Sequence, residues 1–167
     1  MAISPYLRQL RERVGRELVM LPSVAVMIFD GAGRLLLVRA REFDRWQTVG
    51  GAIDPDESPA DAAVREAHEE SGLVVELTRV IGVYGGPSFR LVYPNGDVCS
   101  YTAIAFAARP RGGAIRPDGD ETVDVAWFTK EAAAGLSMAP HTRLLVDEAF
   151  RHDPATRFDR PGWHPGA

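Results

Sequence analysis

Glu66, Glu69 and Glu70 stand at i, i+3 and i+4 within GAIDPDESPADAAVREAHEESGL, residues 51–73 of a 167-residue chain. In a helix that spacing stacks three carboxylates on one face, with Cβ atoms about 5–6 Å apart. Like charges placed this way each cost about a few tenths of a kcal/mol, and a bound cation turns the repulsion into ligation. Oxygen ligands without a Cys/His set point to Mg²⁺, with Mn²⁺ as its substitute, and away from zinc. Beside a phosphate such an ion neutralises anionic oxygens and aligns a water, which is what breaking a phosphoanhydride needs.

The helix that must carry these carboxylates is legible at both ends. Ser58-Pro59 reads as N-cap and first helical position, with Asp61 completing a near capping box, and Gly72 suits a left-handed C-terminal cap before Leu73 opens a strand. Ala60, Ala63, Val64, Ala67 and Ser71 are expected to form the opposite, sheet-facing side, small enough for close approach. His68 falls about 160° round from the centre of the glutamates and is expected to face solvent.

Gly51, Glu57, Arg65, Glu66, Ala67, Glu69, Glu70, Gly72 and Leu73 follow the pattern G-x5-E-x7-R-E-U-x-E-E-x-G-U, U being a bulky aliphatic. In this the chain resembles the Nudix hydrolases, and a pattern of seven fixed identities is far more specific than a lone glycine motif. The flanks depart from the common form: Val49 replaces the proline before Gly50-Gly51, Asp56 stands where glycine often precedes the first glutamate, and Ala67 is small for an aliphatic slot. Asp tolerates a left-handed backbone better than most residues.

The resemblance implies that Glu66, Glu69 and Glu70 hold metal, with Glu57 as an additional or indirect ligand, unless one of them instead takes the proton from water. It implies that Arg65 orients and offsets the glutamates. Gly50 and Gly51 let the backbone approach a phosphate or offer a carbonyl to the metal. Glu121, in Asp118-Gly119-Asp120-Glu121, falls where relatives supply a further acid, as general base or ligand; a solvated acidic loop is the alternative. Arg39, Arg41, Arg45 and Arg90 are candidates to grip a terminal phosphate, although an exposed arginine is the commoner fate. Trp46, Tyr84, Phe89 and Tyr93 either stack on a base or pack in the core. His141 and His152 lack a partner at metal spacing.

A net charge of −4 and a pI near 5.6 argue against broad binding to nucleic acid or anionic membranes. Cys99 is alone, so no internal disulfide forms; with no signal-peptide pattern and no run of eighteen apolar residues, a cytoplasmic location is expected. The hydrophobic fraction of 46% suits one domain over residues 1–167.

Its elements read as an amphipathic helix over 5–18, which packs on its own domain or serves a homodimer contact. A hairpin is predicted from Ser23–Phe29 and Arg34–Arg39 about Asp30-Gly31-Ala32-Gly33, then a strand over Leu73–Tyr84. A second hairpin, Arg90–Tyr93 with Val98–Ala107, turns at Pro94–Asp97. A loop at 111–121, a strand over Val123–Phe128, a brief helix capped by Thr129, a helix over Ala139–Phe150 and a loosely held tail at 151–167 complete the chain. Such an order indicates a mixed sheet covered on both faces. The resemblance names it an α/β/α sandwich with its core at about 22–134, the N-terminal and C-terminal helices being extra. The implied function is Mg²⁺-dependent cleavage of a nucleoside diphosphate linked to another moiety: ADP-ribose, a sugar nucleotide, a (d)NTP or an oxidised dNTP. The alternatives are a regulatory module that binds nucleotide without turnover and a hydrolase of isoprenoid or inositol pyrophosphates.

Overall fold

In the computed structural model residues 4–163 and 165 are described. Strands β1 (Val19–Ile28) and β2 (Leu35–Ala40) are apolar at nearly every position, and their side chains enter two clusters in alternation. Leu21, Ala25, Met27, Leu35 and Leu37 join one cluster; Val24, Val26, Ile28, Leu36 and Val38 join the other. Because successive strand residues point to opposite faces, a continuous apolar run requires cover on both.

Helix α2 (Pro59–Ser71) covers one face with Ala62, Ala63 and Ala67. Helices α1 (Pro5–Val14) and α4 (Pro140–Ala149) cover the other with Leu7, Leu145 and Val146. The chain is therefore an α/β/α sandwich, each enclosed Leu or Val contributing about 1.5–3 kcal/mol.

Strand β4 (Leu73–Tyr84) and β5 (Arg90–Val92) run antiparallel to β6 (Val98–Gly113), whereas β1 runs parallel to it, so this sheet is mixed. A second, antiparallel sheet has the order β3 (Arg45–Gln47), β2, β7 (Thr122–Phe128). The loop before α2 lies along β1, with Val24 and Val26 N–H donating to the carbonyls of Gly51 (2.9 Å) and Val49 (2.7 Å). Helix α3 (Lys130–Ala134) starts on Thr129, whose side chain accepts from Ala132 N–H.

Several expectations need correction. The turn at 30–33 does not join a paired hairpin: only a Phe29–Leu35 bridge spans it, and β1 and β2 enter different sheets. The physical reason is the unbroken register that β1 finds with β6, from Val19–Cys99 to Ile28–Ala108. The helix expected over 5–18 ends at Val14, where Gly15 turns to φ 60° and leaves Leu18 exposed. Its apolar residues Leu7, Leu10 and Val14 pack on this chain's own core. On α2 it is Ala62 that is buried, while Ala60 and Val64 are exposed. The tail is tied down at Arg157, which donates to Ile81 O (2.8 Å), accepts from Val83 N–H (2.9 Å) and reaches Glu148 with its guanidinium.

Candidate active site

Helix α2 is fixed at both ends as its sequence requires. Ser58 Oγ accepts from Asp61 N–H at 3.2 Å, and Gly72 at φ 73° donates to His68 O at 2.9 Å. Glu66 and Glu70, one turn apart, point inward and are buried; Glu69 stands at the rim with its side chain about half exposed. The three therefore share a side of the helix without sharing an environment. His68 is exposed, as expected.

Arg65 gathers the acids around it. Its guanidinium bonds Glu57 through two nitrogens (2.8 and 2.9 Å), Glu66 Oε1 (2.7 Å), Glu69 Oε2 (3.0 Å) and the carbonyl of Ala52 (3.2 Å). Bidentate pairing holds Glu57 below the usual carboxylate range, and these acids raise the Arg65 pKa. Asp56, before Glu57, takes φ 66°, a left-handed conformation that Asp tolerates better than most residues. Glu66 behaves oppositely: loss of water pushes its pKa up to about 7 despite Arg65. Burial raises Glu70 well above its ordinary value too, although Gly50 N–H donates to Oε2 at 2.9 Å.

The two glycines are demanded by these contacts. A Cβ on Gly51 would lie 2.3 Å from Glu66 Oε1, and one on Gly50, which sits at φ 152°, would lie 2.2 Å from the carbonyl oxygen of Val24. Both are thus placed so that backbone can lie against carboxylate and strand, as side chains would forbid.

Glu121 is brought to the same place by a fold of its own loop. Asp118 Oδ1 accepts from the N–H groups of Asp120, Glu121 and Thr122, at 2.8, 2.9 and 2.9 Å, and Thr122 Oγ1 donates to Glu70 O at 3.2 Å. Arg41 clamps the outer side by donating to the carbonyls of Asp120 (2.8 Å) and Gly119 (2.7 Å). Half-buried Glu121 borders the same hollow as Glu70, Gly50 and Gly51, and its charge raises the pKa of both Glu66 and Glu70. Among the described residues no three acidic, His or Cys side chains close into a ready-made metal cage. The Arg65 guanidinium sits among Glu57, Glu66 and Glu69 instead, leaving an open set of oxygen donors.

A cavity of about 130 Å³ extends from Glu70 and Glu121 past Phe43, Gln47, Phe89 and Tyr93. Of the four aromatic candidates, Phe89 and Tyr93 line it, Tyr93 against Phe43 at 5.6 Å between ring centroids. Tyr84 packs under Phe89, and Trp46 packs edge-on against Phe128. His141, half-buried, borders the cavity 5.8 Å from the Phe89 ring; His152 packs on Phe29. The arginine candidates separate: Arg39 pairs with Asp44 (2.6 Å) and Arg41 is the loop clamp, while Arg45 and Arg90 meet at a neighbouring groove. Cys99 is buried and accepts from Arg11 at Sγ, 3.0 Å.

Some of these neighbours escaped sequence reasoning. Glu42 and Phe43 border the cavity from the β2–β3 connection and Gln47 from the end of β3, and Ser4, Pro5 and Leu7 of the N-terminal segment border the outer side of Glu66 and Glu69. The Asp118-Gly119-Asp120 triplet is a turn-forming signal from which the loop anchor was readable. No local pattern announces that α1 comes to the carboxylates.

A fold with two layers of helix about a mixed sheet, and an acidic helix entered through paired glycines, defines a class. Residues 20–149 match the model of the NUDIX domain, running through α4 and beyond the expected core. The chain is 31% identical over 125 residues to a MutT-like protein of Streptomyces ambofaciens, covering 75% of this chain and 74% of that one. It is 30% identical over 123 residues to a putative 8-oxo-dGTP diphosphatase of Bacillus subtilis (strain 168), covering 74% and 75%. The crystal structure of an ADP-ribose pyrophosphatase from Streptococcus suis 89-1591 superposes with a TM-score of 0.62 at 27% identity, over 83% of this chain and 98% of that one. The chain belongs to the Nudix family and is a hydrolase of phosphorus-containing acid anhydrides. Members of the family generally use a divalent metal such as Mg²⁺. Among the described residues no helix is long and apolar enough to cross a membrane.

Proposed function

We propose that the protein is a Mg²⁺-dependent pyrophosphohydrolase that cleaves a nucleoside diphosphate joined to another moiety, with release of a nucleoside monophosphate. The observation that carries this reading is the pair of buried carboxylates, Glu66 and Glu70, packed against Gly50-Gly51: Glu70 borders the aromatic-lined cavity, and Glu66 borders an outer hollow that shares Gly50, Gly51 and Glu121 with it. Glu70, withdrawn from water with a backbone N–H and no cationic side chain against it, and Glu66, whose burial outweighs its pairing with Arg65, lie beside Glu121 and suit a hard cation, because such burial is costly. Glu66, Glu69 and Glu70 would hold the ion, with Glu57 and the Gly51 carbonyl as further oxygen donors and Mn²⁺ as an alternative metal. When bound, the metal supplies charge neutralisation on the diphosphate and activation of water.

The chain's own residues do the rest. Arg65 holds Glu66 and Glu69 in place and ties Glu57 to the helix. Glu121, set by the Asp118 turn, serves as the general base that takes a proton from water, since it faces the carboxylates from a separate loop. The backbone at Gly50 lies close to the scissile phosphates, its N–H already engaged by Glu70. Phe43, Phe89 and Tyr93 offer ring surface to a flat base and Gln47 offers both a donor and an acceptor. The names of the relatives, a putative 8-oxo-dGTP diphosphatase and an ADP-ribose pyrophosphatase, support a small nucleotide in this cavity. Incubation with Mg²⁺ and a panel of ADP-ribose, sugar nucleotides, dNTPs and 8-oxo-dGTP tests it. Monophosphate in the chromatogram is expected for at least one compound; binding of nucleotides without turnover of any would replace the proposal with a regulatory role.

A further inference from the structure

Beyond the cavity, on the side away from Glu66 and Glu70, lies a groove of about 550 Å³. Phe43, Gln47, Leu91, His141 and Thr142 border both spaces, so cavity and groove are continuous. Glu70, Glu121, Gly50 and Gly51 border only the first, and Arg45 and Arg90 only the second. The two arginines come from β3 and β5, strands of different sheets, and meet across this one opening. Among the described residues neither guanidinium has an ion-pair or hydrogen-bond partner, and no acidic side chain borders the groove. Whereas Arg34, Arg39, Arg65 and Arg109 are paired with carboxylates, Arg45 and Arg90 together face one opening that no acidic side chain borders. The start of α4 borders the same space, and there the N–H groups of His141 and Thr142, next after Pro140, receive no cap from the Ala139 side chain.

We infer that the groove binds a second anionic group of the substrate, a phosphate ester on the far side of the nucleoside from the scissile anhydride, held by Arg45 and Arg90. This rests on the nucleotide reading of the cavity. With the diphosphate at the glutamates and the base against Phe89 and Tyr93, which border the cavity and not the groove, a phosphate on the sugar's far hydroxyls would pass Phe43 and Leu91 into the groove that they also border. Guanidinium forks match phosphate oxygens in pairs, which makes arginine the suited residue at both corners. The phosphate is either a terminal 3′-phosphate of a free nucleotide or the first phosphodiester of an oligonucleotide.

Calorimetric binding separates this inference from the catalytic proposal because it needs no turnover. The probes are adenosine and guanosine 5′-monophosphates, the corresponding 3′,5′-bisphosphates and 5′-phosphorylated dinucleotides. For at least one base, the bisphosphate or the dinucleotide is expected to bind about tenfold more tightly than the monophosphate, as two charge-assisted contacts would give. In Arg45→Ala/Arg90→Ala the ratio is expected to fall to about one, and the advantage in the unaltered protein to shrink with added salt. A stronger gain for the bisphosphate assigns a free nucleotide; a stronger gain for the dinucleotide assigns an RNA or DNA end. Equal binding of all three probe types by the unaltered protein, or an undiminished ratio in a double variant that melts normally, overturns the inference. The nucleotide panel with Mg²⁺, run alongside, reports on the catalytic proposal by itself.

Discussion

Gly50 and Gly51 are neighbours whose replacement by alanine should fail in different ways. The Gly51 Cβ would stand 2.3 Å from Glu66 Oε1, about 1 Å inside normal contact, so the carboxylate at the end of a flexible side chain must move by about that much. Moving a chain end costs the fold little, but displacement of a catalytic group by about 1 Å can lower the rate about 10²-fold. The Gly50 Cβ would meet the Val24 carbonyl at 2.2 Å and the Ala25 Cα at 3.0 Å, both backbone atoms of a buried strand, and φ 152° is itself strained for a side chain. With about 1–3 kcal/mol for the backbone conformation alone and the clash besides, Gly50→Ala should lose about 3 kcal/mol or more. For a chain of this length that is a fall in Tm of about 6–12 °C. Calorimetric melting and steady-state hydrolysis with Mg²⁺ read the two effects separately. Gly51→Ala is expected to keep Tm within about 2 °C and to lose kcat. Full activity in Gly51→Ala, or an unchanged Tm in Gly50→Ala, would refute the steric argument.

Three further outcomes follow from the same geometry. Glu69→Gln and Glu70→Gln should each lower turnover by about 10²-fold or more, and Glu70→Gln should also melt higher than the metal-free parent at neutral pH, because it removes a buried charge; equal melting would contradict the burial argument. Asp118→Ala removes the acceptor of the N–H groups of Asp120, Glu121 and Thr122 and should reduce kcat while destabilising by about 1–2 kcal/mol, measured by urea unfolding. Burial lowers the His141 pKa below 6.5, so the unfolded chain takes the proton first. Stability from this residue is therefore whole above pH 6.5 and falls as the pH drops toward the folded value, by at most about 1.4 kcal/mol per pH unit. Urea midpoints at pH 7 and 5.5 should differ less in His141→Asn than in the parent; an identical difference would sink this.

What was legible in the sequence is what local chemistry decides. Ser58 and Gly72 bound the helix as their cap preferences require, and the Pro94–Asp97 turn joins β5 to β6. The paired glycines, Arg65 and the inward glutamates likewise come together from a stretch of some twenty residues. Contacts between distant segments were hidden. The apolar run of β1 fits a hairpin as well as a parallel pairing, and only the length of β6 decides for the latter. Arg157 on β4 and Leu7 near the carboxylates are likewise meetings of chain ends with the middle, which no period or motif encodes. The helix is rotated by a fraction of a turn from the orientation its small residues suggest, so that Ala62 takes the buried place expected of Ala60 and Val64, and Glu69 comes to the rim. Of four arginine candidates, sequence could not tell the loop clamp Arg41 from Arg45 and Arg90, because the carbonyls that Arg41 bonds and the opening that Arg45 and Arg90 share are brought there by other strands and loops.

We propose that the carboxylates of α2 hold the divalent ion that hydrolysis needs. Mn²⁺ titration monitored by electron paramagnetic resonance, on the parent and on Glu66→Gln/Glu70→Gln, tests it most directly, with Mg²⁺-dependent turnover measured on the same samples. Saturable Mn²⁺ binding and turnover in the parent, with both lost in a double variant that still unfolds cooperatively, is the predicted result. Equal Mn²⁺ binding by the two proteins, or full turnover in the presence of a chelator, would contradict it.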